Sequence, residues 1–157
     1  MTVSISVENE CWAAEPSLSE LAHTAVHAAL TGAAWENPDW DVAVLFTDNA
    51  AMAEINAEWR GKDTPTNVLS FPTDNGMPVP EGEPRPLGDL VLAYGVIARE
   101  AAEHGKTLRD HTTHLIVHGT LHLLGFDHET DEEAEEMEAL ETRILKGLGI
   151  SDPYERD

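Results

Sequence analysis

The segment His118-Gly119-Thr120-Leu121-His122-Leu123-Leu124-Gly125-Phe126-Asp127-His128 reads as the end of a buried helix, a glycine turn and a returning chain. His118 and His122 are four residues apart, so on a helix their rings lie on one face, one turn apart. Gly125 supplies the left-handed residue that ends a helix without a Cβ penalty. The turn brings His128 back toward the first two rings. Three imidazoles converging with a fourth position open form the arrangement of a catalytic zinc site. Upstream, Leu115, Ile116, Val117, Leu121, Leu123 and Leu124 lie nearly all round the helix. Such a helix is buried and makes a rigid platform for ligands. Thr107 followed by Asp110 resembles a capping box and sets its start, with the end at Leu124. The chain carries its own control: His23 and His27 are also four apart but have no glycine turn or third histidine nearby, and are read as ordinary helix residues.

The rest of the chain is arranged around that helix. Val3, Ile5 and Val7 alternate with polar residues, as in a half-exposed strand. Residues 17–31 read as a helix with Leu18, Leu21, Ala22, Ala25, Val26, Ala29 and Leu30 inward. Val42 to Phe46 is an apolar run typical of a buried strand. Thr47 or Asp48 caps the next helix, which carries Met52, Ile55 and Trp59. Residues 68–71 and 88–93 are two further strands. Between them, residues 72–86 hold five prolines and two glycines and read as a surface loop. Residues 94–103 form a helix ended by Gly105, and residues 131–146 an acidic one. Strands come first and helices gather at the end, so the expected class is α+β.

At 157 residues the chain is expected to be a single domain spanning 1–157. It carries 30 acidic and 9 basic residues, a formal charge of −21. That surface gives no general electrostatic attraction to nucleic acid, and DNA is not an expected partner. Nine carboxylates and no lysine or arginine fall between residues 127 and 141. They are expected on the solvated face of a helix whose Ala134, Met137, Leu140, Ile144 and Leu145 keep apolar spacing. Cys11 is the only cysteine, which fits a reducing compartment and a semi-buried thiol remote from the histidines. The first ten residues lack the features of a signal peptide, and no apolar run reaches the length of a membrane span. A cytoplasmic protein without membrane association is expected.

His118, Gly119, His122, Gly125 and His128 follow the spacing of the zinc-protease pattern H-E-x-x-H-x-x-G-x-x-H, with Gly119 where those enzymes keep glutamate. Without that carboxylate a metallopeptidase lacks its general base. A glycine within a helix costs about 1 kcal/mol relative to alanine. Two reasons fit: a bulky substrate close above the metal, or close helix packing. Asp127 is either an acceptor that orients an imidazole or a turn cap. His114, one turn before His118, is a candidate catalytic residue that contacts substrate or acts behind the ligands. His111 is expected to be exposed near the helix start. A second cluster, residues 59–72, holds Arg60 and Lys62 in a loop with Thr64, Thr66, Asn67 and Ser70. A guanidinium offers a planar fork for two phosphate oxygens.

Together, Trp59-Arg60-Gly61-Lys62, residues 65–72, Gly88-Asp89-Leu90-Val91, the histidine segment, the acidic helix 132–138 and Asp152-Pro153-Tyr154 resemble the YbeY family of bacterial endoribonucleases. The resemblance covers roughly residues 41–154. It implies a zincin-like α+β fold, with a mixed sheet of about four strands, about five helices and the metal site on a helix in the C-terminal half. It implies one zinc ion held by His118, His122 and His128, with Arg60 as the catalytically important arginine. The implied activity is cleavage of single-stranded RNA in 16S rRNA 3′-end maturation and ribosome quality control, in association with the small ribosomal subunit and its proteins. A non-catalytic zinc-bearing assembly factor is the alternative of another class, with a metallopeptidase behind it. The charge of −21 opposes tight binding of naked RNA. Either a local positive patch around Arg60, Lys62, Arg85 and the metal, or delivery by basic ribosomal proteins, would resolve this.

Overall fold

In the computed structural model, residues 2–8, 10–14, 17–35, 39–61, 66–73, 85–126 and 129–150 are described. The elements run β1 (Thr2–Val7), a short 3-10 helix (Glu10–Ala14), α1 (Leu18–Gly32), β2 (Trp40–Thr47), α2 (Asn49–Arg60), β3 (Val68–Pro72) and β4 (Arg85–Ala93). Then come α3 (Tyr94–Glu103), α4 (Leu108–Leu123) and α5 (Asp131–Gly147). The class is α+β, with a mixed four-stranded sheet and five α-helices among the described residues. The order is β1-β2-β4-β3, with β1, β2 and β4 parallel and β3 antiparallel at the edge beside β4.

The two faces of the sheet are covered unequally. Along β2, Val42, Val44 and Phe46 are buried while the residues between them are partly exposed, the period of two that pleating imposes. The buried set meets α1, α4 and α5 in the main core. On the other face α2 packs, placing Met52 and Ile55 against Leu69, Val91 and Ala93. Trp12, outside the expected strands and helices, is fully buried. Its indole N–H donates to the Thr47 carbonyl at 2.9 Å, and its ring stands edge-on to Phe46 and Tyr94.

Local signals account for the helix ends. Asp48 accepts from the Ala51 N–H at 2.8 Å, Thr107 from Asp110 at 3.0 Å and Thr130 from Glu133 at 3.1 Å. Gly125, at φ +100°, ends α4 as its position in the sequence implies. β4 begins at Arg85, earlier than expected, because Arg85 and Pro86 pair with Trp40 and Asp41 across a register shift. A shift of this kind is where a strand tolerates proline. Most of the proline-rich loop, 74–84, lies outside the described residues. Cys11 is exposed, not semi-buried. No helix among the described residues is long and apolar enough to cross a membrane.

Candidate metal centre

α4 is the platform its composition suggested: nearly every residue from Leu115 to Leu123 except the two histidines is buried. Its fixed backbone sets the rings of His118 and His122 4.6 Å apart, at 79°. Their Nε2 atoms face each other at 3.1 Å. Two imidazole ligands of a tetrahedral zinc, each about 2.0–2.1 Å from the ion, hold their nitrogens about 3.3 Å apart. The donor pair therefore fits the ion. Among the described residues there is no group of three metal-ligating side chains. His128 and Asp127 lie outside the described residues.

The orientation of His118 comes from α5. Its Nδ1–H donates to Glu141 Oε1 at 2.5 Å, and Glu141 has no exposed surface. With the proton on Nδ1, the lone pair of Nε2 faces His122. This is the carboxylate–histidine arrangement that fixes the tautomer and ring orientation of a metal-ligating histidine. His114 Nε2 lies 3.7 Å from the same carboxylate oxygen. His114 thus stands behind His118 and is nearly buried, which favours a supporting place over substrate contact. Glu141 departs from the solvated role expected of the acidic run. The signal was present: Glu141 falls between Met137-Leu140 and Ile144-Leu145 on the apolar spacing of α5.

His111 is buried, contrary to expectation, and its Nε2 meets Glu100 at 3.0 Å. Burial holds its imidazole below the usual histidine range against the opposing pull of Glu100. Asn67 donates to the same Glu100 oxygen at 3.0 Å and accepts from the Val68 N–H at 2.6 Å. The Asn67 amide therefore anchors β3 to α3.

Gly119 is accounted for by packing. A Cβ there would meet Leu90 Cδ2 at 2.8 Å and Ser70 Oγ at 3.1 Å. Ser70 also donates to the Gly119 carbonyl at 3.2 Å, tying α4 to the edge strand. No carboxylate occupies the general-base position of the zinc proteases.

His118 and His122 form one wall of a cleft of about 730 Å³, and β3, from Val68 to Pro72, forms the other. Thr66, Trp59 and Phe126 line its rim, and among the described residues no acidic side chain lines it. Arg60 ends α2 beside Trp59, and Gly61, at φ +69°, turns the chain there. The Arg60 side chain and residues 62–65 lie outside the described set.

The sequence model of the family described as Endoribonuclease YbeY matches residues 5–149. The chain belongs to the YbeY endoribonuclease family. Endoribonuclease YbeY of Azorhizobium caulinodans is 49% identical over 156 residues, covering 98% of this chain and 96% of the relative. The YbeY of Chelativorans sp. is 52% identical over 154 residues, covering 98% and 93%. The solution structure of TM1509 from Thermotoga maritima aligns over 98% of this chain and 99% of its own, with a TM-score of 0.58 at 23% identity. That likeness concerns the fold.

Proposed function

We propose that this YbeY chain is a zinc-dependent endoribonuclease that cleaves single-stranded RNA and acts in 16S rRNA 3′-end maturation. The observation that carries the metal reading is the facing Nε2 pair of His118 and His122, with His118 locked by a buried carboxylate. The family supports RNA as the substrate class. One zinc per chain is held by His118, His122 and His128 in a zincin-like single domain spanning 1–157. Bound zinc supplies a Lewis acid and brings the pKa of coordinated water to about 7.

The protein's own groups orient and neutralise. Glu141 holds His118 in its ligating tautomer, and His114 packs behind the pair. Arg60, at the end of α2, grips non-bridging phosphate oxygens and stabilises the charge that develops on them. The cleft between α4 and β3, which no acidic side chain lines among the described residues, receives the RNA strand. The enzyme works in the cytoplasm on the small ribosomal subunit, where it also serves quality control.

The charge of −21 favours one other reading, a zinc-bearing assembly factor that docks on basic ribosomal proteins. Cleavage of a 16S precursor 3′-end RNA by zinc-quantified protein separates the two. Activity abolished by Arg60→Ala and by His122→Ala is the expected result. Equal cleavage by all three proteins would mean a contaminant. Bound zinc without cleavage of free RNA or of small subunits would favour the assembly factor. Arg60→Lys, which keeps the charge but loses the fork, is expected to impair cleavage at unchanged zinc content.

A further inference from the structure

Trp59 shares α2 with Met52 and Ile55, yet it is 68% exposed while Met52 is fully buried. A tryptophan left in water at the end of a helix gives up the burial its large ring could provide. Its position offers a reason. Trp59 lines the metal cleft and also a second groove of about 570 Å³ that, among the described residues, lies beside α2 on the same face of the sheet. Phe71 lines both as well, and the two rings meet edge-on with centroids 5.9 Å apart. Leu45 and Val91 form the floor of that groove. Asp89, the cross-strand partner of Phe71, lies exposed along it and offers a hydrogen-bond acceptor. An aromatic ring therefore stands between the metal-binding pair and an apolar groove continuous with it.

We infer that Trp59, backed by Phe71, is a stacking platform for an unpaired RNA base flanking the scissile phosphate. The base enters the mouth of the sheet-face groove while its phosphate stays in the cleft. The inference rests on the proposed ribonuclease activity and specifies how that site holds its substrate. A chain of this charge cannot draw affinity from a broad basic surface, and stacking on an aromatic ring is independent of net charge. Stacking also selects single strands, because a base within a duplex has no free face to offer.

The test uses the zinc-loaded full chain and a short 2′-O-methyl oligoribonucleotide from the precursor 3′ end. Trp59→Ala is expected to weaken binding about 5- to 150-fold, and Trp59→Phe by less. On cleavable RNA the loss is expected in KM rather than kcat. Binding should quench the fluorescence of the wild type and much less that of Trp59→Phe, since Trp12 and Trp40 are buried and Trp35 is packed against the main core. In the wild type, removing single bases from the RNA should reproduce the loss at one position, and there Trp59→Ala should add nothing further. Equal RNA affinity for wild type and Trp59→Ala, or no base-removal position that matters, would overturn the inference while leaving the nuclease reading intact. Loss of self-association or subunit binding without loss of RNA affinity would also overturn it and make the groove a protein-docking face. A wild type that neither binds nor cleaves RNA would remove both readings.

Discussion

Glu141 is a carboxylate without solvent access, and burying such a group is costly unless it is paired. Its partner is the His118 ring, whose Nε2 would face the metal in the proposed site. Replacing Glu141 with glutamine keeps the shape and removes the charge, so zinc affinity is expected to fall about 10- to 100-fold. Competition against a chromophoric chelator measures this, and an unchanged affinity would sink the orienting role. His111 makes a different prediction. Its folded pKa lies below the ordinary 6.5, so the folded chain binds fewer protons here than the unfolded chain. Its contribution to stability is present above about 6.5 and is lost as pH falls toward the depressed folded value. Between about pH 7 and 5.5 the wild type should therefore lose more stability than His111→Gln. Parallel thermal-unfolding curves against pH for the two proteins would contradict this.

At the scale of elements, the contact of α4 with the sheet is close because position 119 has no side chain. Gly119→Val would drive methyl groups against Leu90 and Ser70 and should cost about 1–3 kcal/mol in urea unfolding. Unaltered stability would mean that Leu90 yields freely. α5 depends on the Thr130 cap for its first turn, and Thr130→Ala should cost about 1 kcal/mol. Most element boundaries were legible to within a residue or two in the sequence, since caps, glycines and apolar periods act locally. The start of β4 was not, because its pairing with β2 recruits Pro86 into the strand. The fate of the acidic run was legible in the main: α5 does expose most of its carboxylates. Glu141 escaped that reading because a charge count over a run ignores which face each member occupies.

For the whole molecule, charge and binding site pull in opposite directions. A surface of net −21 repels RNA at long range, whereas the proposed contacts involve few cations. If Arg60 and Lys62 neutralise two phosphates, log K for single-stranded RNA should fall with log salt at a slope no steeper than about −1.4. Screening of the general repulsion makes it shallower still. A markedly steeper slope in a titration with the zinc-loaded chain would require a larger basic footprint than these two residues.

The sequence by itself determined the α+β class, the run of helices, the Thr107 cap of α4, and the pair His118 and His122 on one face of that helix. Each of those follows from residues a few positions apart. It did not determine which carboxylate reaches His118, since Glu141 is 23 residues away on another helix. Nor did it choose between the roles open to Gly119, whose neighbour Ser70 is 49 residues away on the edge strand. The exposure of Trp59 likewise depends on how much of the sheet α2 covers. These features belong to the tertiary structure because packing between distant elements, not local spacing, decides what surrounds a side chain.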